Sequence, residues 1–357
     1  LAVLADDDLV SNQAHQRTLL VTGAAGFIGS NFVRMLATRG EPVKLIAYDK
    51  LTYAGNLANL SDLLAKHPGQ VEFVRGDVCN AELVDHVVSQ HKVTEIVHFA
   101  AESHVDRSIL GSGPFVTTNV IGTQVLLDVA KNRKLDKFLY VSTDEVYGTL
   151  PEDQPDVKFT EETPLQPNSP YSASKAGGDC LVRSYFHTFH LPVLTTRCSN
   201  NYGPYHFPEK LIPLFVTNLM EDKQVPLYGD GMNVRDWLYV EDHCDAIWTV
   251  LNKGRFGEAY NVGGNNEMTN RQITEIVLRE MDKPWDKYVK YVKDRPGHDR
   301  RYAIDATKIK RELGWEPKHR FETAIKTTIK WYRENEKWWR EIKSGDYLKY
   351  YATQYGR

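Results

Sequence analysis

Apolar positions in the first 145 residues follow two alternating rhythms. Short runs of β-branched and aliphatic residues at 18–22, 43–48, 71–75, 95–99 and 137–142 read as strands. Between them, apolar residues recur every three to four positions over 26–38, 57–66, 81–90 and 114–132, which predicts helices. Strand–helix alternation at this spacing predicts an α/β fold, a Rossmann-type doubly wound parallel sheet covered by helices on both faces. Such sheets bind ligands beyond the carboxyl ends of their strands, so the residues after each strand carry the interest.

Past Asn200 the rhythm breaks. Gly203-Pro204, Pro208, Pro213, Pro226, Gly229 and Gly231 punctuate shorter runs. The expected division is a dinucleotide-binding Rossmann domain over 17–199 and a smaller, mixed α/β substrate-binding domain over 200–345. The run 235–240 followed by 242–251 reads as one more strand and helix, so segments near 235–262 are expected to return to the first domain. Residues 324–342 are amphipathic, with Ile325, Ile329 and Tyr332 on one face. Trp331, Trp338 and Trp339 there read as packing residues rather than a ligand platform. Residues 1–16 carry Asp6, Asp7 and Asp8 and an apolar run too short for a signal peptide; they and 346–357 read as tails.

Composition removes several classes of function. A chain of 357 residues with 41% hydrophobic and 25% charged residues fits a globular protein of two domains. No apolar run approaches the ~18 residues of a membrane helix. Lys+Arg (44) and Asp+Glu (47) leave a net charge of −3, without the basic field of a nucleic-acid binder. Cys79, Cys180, Cys198 and Cys244 show neither CxxC pairing nor metal-ligand spacing. They are expected as free thiols in a reducing cytoplasm, with no metal site.

The first chemical signal follows the first strand. Gly23, Gly26 and Gly29 stand three apart where a strand turns into a helix. Gly23 permits the turn, Gly26 lets backbone approach a pyrophosphate, and Gly29 lets the helix pack against the strand, with the anion at the helix N-terminus. Asp49 ends the second strand, 20 residues after Gly29. A carboxylate there accepts hydrogen bonds from ribose hydroxyls and repels a 2′-phosphate, which favours NAD over NADP. Asp77 and Val78 after the third strand are placed to face adenine. Phe99, Ala100 and Ala101 after the fourth leave room for the cofactor to cross the sheet edge.

The second signal follows the fifth strand. Thr143, Asp144 and Glu145 form a Thr and two adjacent acids at a strand's carboxyl end. Tyr171 and Lys175, at i and i+4, share one face of a predicted helix. A Lys ammonium beside a phenol, together with a positive nicotinamide ring, is expected to pull the Tyr171 pKa down and make it a base for a hydroxyl proton. On residue type alone, Asp144 and Glu145 could equally be a helix-capping pair, and Lys210, Arg295 and His298 surface groups without a role.

The glycine turn together with Tyr171 and Lys175 resembles the extended short-chain dehydrogenase/reductase superfamily. Within it, STDEVYG at 142–148 resembles the dTDP-glucose 4,6-dehydratase family. Further matching segments are DKLTYAGN (49–56), AAESHVDRS (100–108), CSNNYGPYHFPEKLIP (198–213), RDWLYVEDH (235–243) and DRPGHDRRYAID (294–305). Ala24 stands where the family often has Gly, and Arg197 where Asn is frequent.

The resemblance implies conversion of dTDP-glucose to dTDP-4-keto-6-deoxyglucose plus water, with tightly held NAD recycled. It implies Thr143, Asp144, Glu145, Tyr171 and Lys175 as catalytic residues. NAD contacts would come from Gly23, Gly26, Phe27, Ile28, Gly29, Asp49, Lys50, Leu51, Thr52, Asp77, Val78, Phe99, Ala100, Ala101, Ser103, Thr118, Tyr171, Lys175 and Asn200. Substrate contacts would come from Ser103, Thr143, Asn200, Lys210, Leu211, Pro226, Tyr228, Arg235, Asn270, Arg295 and His298. It further implies a homodimer formed through the helices at 114–132 and 171–190. The rival readings are another NAD-dependent nucleotide-sugar 4-epimerase, dehydratase or decarboxylase, which has no need of the acid pair unless it eliminates water, and a non-catalytic NAD-binding scaffold.

Overall fold

The computed structural model of the protein describes residues 16–344, so the two expected tails lie outside it apart from Gln16. Seven strands pair in parallel: β1 (Thr18–Thr22), β2 (Lys44–Asp49), β3 (Val71–Arg75), β4 (Glu95–His98), β5 (Lys137–Thr143), β6 (Val193–Cys198) and, after three strands that lie elsewhere, β10 (Ala259–Val262). Their order is β3-β2-β1-β4-β5-β6-β10. β1 is buried along its whole length, as a strand covered on both faces must be. The chain runs outward from β1 in both directions, so a crevice opens at its carboxyl end, where the glycine turn begins.

Two predicted elements differ from the structure. The expected helix over 114–132 is divided into Gly113–Val116, a π-helical turn Thr117–Gly122, and Thr123–Arg133. Asn119 in the wide turn is directed inward. Its Nδ2 donates to the Glu102 carbonyl (3.0 Å) and to Ser174 Oγ (2.8 Å), and its Oδ1 accepts from the Glu102 N–H (2.9 Å). A period-counting argument cannot detect one extra residue in a turn.

The segment near 235–262 also divides. Strand β9 (Val234–Tyr239) pairs with β7 (Asn200–Tyr202) and β11 (Glu267–Thr269) in a separate three-stranded sheet. The following helix, Val240–Lys253, and β10 pack on the main sheet, and Leu238 of β9 reaches the same core. β10 takes the edge of β6, while Trp237 and Tyr239 of β9 bury against Tyr202 and Phe321 in a second core. A two-stranded pair, β8 (Val225–Tyr228) with β12 (Val289–Val292), completes the smaller region.

The amphipathic tail forms two helices, Phe321–Glu334 and Glu336–Ile342. Trp339 is fully buried and its indole N–H donates to the Tyr332 carbonyl at 2.9 Å. Trp331 and Trp338 pack around Tyr205, with ring centroids 4.7 and 6.0 Å away. The cysteines are free thiols, and among the described residues no helix is long and apolar enough to cross a membrane. Truncating Trp339 to Ala leaves a large void and an unpaired carbonyl, so urea titration is expected to show a loss of about 3–5 kcal/mol. A loss below about 1 kcal/mol contradicts the packing role.

Candidate active site

The turn after β1 is built by close backbone approach. Gly23 has φ +68°, and a Cβ there would lie 2.7 Å from the Ala100 nitrogen; one on Gly29 would lie 2.3 Å from the Gly23 carbonyl oxygen. A Cβ on Gly26 would meet only the Gly23 carbonyl, at 3.2 Å, and would otherwise fill the open cradle. The helix Phe27–Arg39 starts here without an acidic residue in its first turn, which leaves its N-terminal N–H groups suited to an anion. Asp49 Oδ2 accepts from the Ala25 N–H (3.0 Å) and Oδ1 from the Leu51 N–H (2.7 Å). A carboxylate has about four acceptor sites, so two remain. Asp77 is tied down differently from a free adenine contact: Oδ1 accepts from the Cys79 N–H and Oδ2 pairs with Lys50 at 2.6 Å.

At the end of β5, Thr143 Oγ1 accepts from the Glu145 N–H (3.3 Å) and caps the short 3₁₀ turn Asp144–Tyr147. The same hydroxyl donates to Asp144 Oδ1 (3.3 Å). Tyr171 is fixed by the start of its helix, Pro170–Phe189. Ser169 and Ser172 form a reciprocal capping box, and Pro170 occupies the first helical position. Lys175 follows one turn later, with Nζ donating to the Val141 carbonyl at 2.7 Å.

Burial drives the electrostatics. Asp144 is held well above the usual carboxylate range, first by burial and then by the charges of Glu145 and Asp236, against Arg235 and the Thr143 bond. Glu145 is also raised by burial, but Arg295, Lys210 and Arg235 oppose that rise. Both neighbours are thus shifted toward the protonated form, but unevenly: three cations oppose the rise at Glu145, whereas one arginine and the Thr143 bond oppose it at Asp144.

Tyr171 corrects the expectation of a lowered phenol. Burial first, then Glu145, hold it well above its ordinary value, while Lys175 is pushed down to about 8 by burial. The Lys175 ammonium is directed at a backbone carbonyl and the Tyr140 ring, so the nearest charges to the phenol are acids.

These groups line one cavity of about 330 Å³. Its walls include Gly23, Gly26, Phe27, Ile28, Gly29, Asp49, Lys50, Thr52, Asp77 and Val78. They continue through Phe99, Ala100, Ala101, Ser103, Thr118, Thr143, Asp144, Glu145, Tyr171, Lys175, Asn200, Lys210 and Leu211. Asp144 Oδ2, Ser142 Oγ and Asn200 Oδ1 are buried there without a hydrogen-bond partner among the described residues. Buried orphan acceptors and donors in a cavity wall mark a place for a polar ligand.

Leu51, Pro226, Tyr228, Arg235, Asn270, Arg295 and His298 stand outside those walls. Arg235 and Arg295 act on Glu145 through their charge. Tyr228 donates to Asp106 (3.1 Å), Arg295 pairs with Asp106 (3.6 Å), and the Tyr228 and His298 rings lie 6.1 Å apart, so these three form a neighbouring cluster. Lys210 and Arg295 are not free surface charges; Lys210 Nζ donates to the Ser103 carbonyl at 2.8 Å.

Asp106, Asn119, Glu209 and Trp237 are not singled out from sequence, and Cys198, which lines the cavity, is named there only as a free thiol. Asp106 and Glu209 sit inside the matching segments AAESHVDRS and CSNNYGPYHFPEKLIP, which was the available signal; Asn119 had none. Among the described residues, no three His, Cys, Asp or Glu side chains are placed to hold a metal ion.

Comparison with known proteins follows the same lines. A family model described as GDP-mannose 4,6 dehydratase matches residues 20–328. The chain is 52% identical over 349 residues to the dTDP-glucose 4,6-dehydratase of Xanthomonas campestris pv. campestris (strain B100), covering 92% of this chain and 97% of that one. It is similar in structure to DesIV, a dTDP-glucose 4,6-dehydratase from Streptomyces venezuelae crystallised with NAD bound. The TM-score is 0.87 at 51% identity, covering 91% of this chain and 100% of that one. A UDP-glucose 4-epimerase from Thermotoga maritima aligns at 29% identity with a TM-score of 0.81, covering 89% and 99%.

The raised Asp144 carboxyl carries a sign for stability. The folded state holds a proton that the unfolded state has released, so stability is intact below the ordinary carboxylate range. It is lost as pH climbs through the raised value. Asp144→Asn is therefore expected to be near neutral at about pH 4 and to raise the Tm over the parent progressively toward about pH 8. A Tm difference that stays constant across that range contradicts the assignment.

Proposed function

The chain belongs to the GDP-mannose 4,6 dehydratase family and, within it, to the dTDP-glucose 4,6-dehydratases, and from that premise we propose how its site works. It is an NAD-dependent hydro-lyase that converts dTDP-glucose to dTDP-4-keto-6-deoxyglucose and water. The observation that carries the mechanism is geometric: Thr143, Asp144, Glu145 and Tyr171 line one cavity with the glycine turn, and Arg295, Lys210 and Arg235 oppose the rise at Glu145.

The residues fit NAD: the open cradle at Gly26, the helix N-terminus behind it and the two free acceptor sites of Asp49 suit a pyrophosphate and a ribose diol. Gly23, Gly26, Phe27, Ile28 and Gly29 would hold the pyrophosphate. Asp49, Lys50, Leu51 and Thr52 would hold the adenosine ribose, and Val78, beside an Asp77 already engaged by Lys50 and the Cys79 N–H, would border the adenine. Phe99, Ala100, Ala101, Ser103, Thr118 and Asn200, with Tyr171 and Lys175, would border the nicotinamide end. When bound, NAD takes a hydride from C4 of the sugar and returns it to C6.

Thr143 orients the 4-hydroxyl, and Tyr171 would remove its proton as the C4 ketone forms once the positive ring of bound NAD offsets the burial and carboxylates that hold the phenol up. Proton removal by a group in this position is worth roughly 10²–10⁴-fold. The ketone acidifies the C5 proton, which Glu145 takes. Asp144 protonates the 6-hydroxyl, which leaves as water. Glu145 then returns its proton to C5 as C6 is reduced, the proton taken by Tyr171 makes good the one Asp144 gave up, and the balance closes with one water lost. Lys210, Arg235 and Arg295 are charge-assisted donors for the diphosphate. Leu211, Pro226, Tyr228, Asn270 and His298 border the nucleoside side. A 4-epimerase oxidises the same carbon but has no use for an adjacent acid pair in the cavity wall, which favours elimination here.

Ile109, Leu110, Val116, Ile121 and Phe189 are exposed on the helices at 105–110, 113–133 and 170–189. A group of exposed large apolar side chains supports a homodimer through these helices. Four free thiols suit a reducing cytoplasm.

Incubation with dTDP-glucose is expected to yield the alkali-labile 4-keto product, and UDP-glucose much less; recovery of dTDP-galactose alone would sink the dehydratase reading. Glu145→Gln is expected to retain C4 oxidation in a single turnover while elimination falls by about 10²-fold or more. Undiminished loss of water in that variant removes Glu145 as the C5 base. Sedimentation equilibrium is expected to give twice the chain mass, and Leu110→Asp to shift it toward monomer; a monomeric parent refutes the dimer.

A further inference from the structure

Arg197 lies beneath the site and takes no part in the steps above. It projects from β6 and is buried, with 7% exposure. Its Nε and one terminal nitrogen bond both oxygens of Asp179, each at 2.8 Å. The other terminal nitrogen donates to the Tyr147 hydroxyl at 2.9 Å. That hydroxyl donates onward to Asn261 Oδ1 on β10 (2.8 Å), and the Tyr147 ring stacks on Phe159 at 5.0 Å.

The two partners of this guanidinium carry the two halves of the chemistry. Asp179 lies on the Pro170–Phe189 helix at i+8 from Tyr171 and i+4 from Lys175, on the same face. Tyr147 is the last residue of the turn that holds Asp144 and Glu145. A buried ion pair is weak evidence for stability, since a well-packed apolar pair commonly does as well. A planar fork with bonds on two edges does what an apolar pair cannot, because it fixes the direction of both neighbours.

We propose that the Asp179–Arg197–Tyr147 chain is a positioning device that keeps the acid–base turn in register with the Tyr–Lys helix. The inference rests on the dehydratase reading. Oxidation at C4 needs Tyr171 and Thr143, and Thr143 is held by β5 rather than by the far end of the turn at Tyr147. Elimination needs the C4 ketone held by that side while Glu145 reaches C5 and Asp144 reaches the 6-hydroxyl. Loosening the link therefore slows elimination and leaves oxidation nearly intact.

Tyr147→Phe tests this most gently, since it removes one hydroxyl and leaves no buried charge unpaired. Arg197→Lys keeps the charge but cannot serve both partners. Each holoenzyme is mixed with dTDP-glucose. The absorbance of reduced dinucleotide follows oxidation, and the keto-deoxy product follows elimination. The expected result for Tyr147→Phe is oxidation within about twofold of the parent, elimination slower by about tenfold or more, KM within about threefold, and reduced dinucleotide accumulating during turnover. Arg197→Lys is expected to behave likewise with a larger loss.

If both steps fall in proportion, or neither falls, the positioning role is overturned, whatever the Tm of the variants. If the parent itself makes no keto-deoxy product, the dehydratase reading fails instead.

Discussion

Everything in this site follows from setting two adjacent carboxyl groups, Asp144 buried and Glu145 half-buried, in the wall of one cavity. Neither could remain ionised alone in such surroundings, and two charges side by side oppose each other as well. The fold resolves the conflict asymmetrically. Arg295, Lys210 and Arg235 oppose the rise at Glu145, whereas Asp144 faces Asp236 and Glu145 with one arginine to offset them. Both carboxyls are raised, but the proposed proton donor and the proposed proton acceptor are set in unequal surroundings before any substrate arrives.

That asymmetry explains why a Rossmann sheet is joined to a second region. β5 delivers the carboxyls and the Pro170–Phe189 helix delivers the phenol, both from the first region. The opposing cations arise at 210, 235 and 295, from the loop before the Leu211–Met220 helix, from β9 and from the loop after β12. β9 belongs to the small sheet and not to the large one, which brings Arg235 beside the site rather than into the wall of the cofactor crevice. On the proposed reading the diphosphate of a nucleotide sugar would meet the same cations, and substrate anchoring and control of Glu145 would draw on one set of charges.

Much of this was legible in the sequence because it depends on local geometry. The five early strands, the glycine turn, Asp49 at the end of β2 and the Tyr–Lys spacing are set by periodicity and by short-range turn chemistry, and each lies within a residue or two of its expected place. What depends on non-local packing was not legible. The wide turn at 117–122 exists because Asn119 meets Glu102 and Ser174, and nothing in the helical pattern announces that. The state of Tyr171 also escaped a reading of neighbours in sequence. Lys175 is one turn away along the helix, yet burial and the carboxylates across the cavity govern the phenol. The tertiary partner of Arg197 was equally invisible, although its residue type was noted as unusual for the family.

The π-helical turn has a consequence for how this protein can vary. Val116 and Ile121 are exposed on its outer flank, while Asn119 reaches inward from the same stretch of chain. Removing one residue there would restore a regular helix and rotate every later side chain on it by about 100°. The loop at 102 and the serine at 174 would lose their shared amide, and the outer surface would turn at the same time. Length at this point is therefore harder to change than composition, and insertions or deletions among related chains should avoid these six positions even where the residues themselves drift.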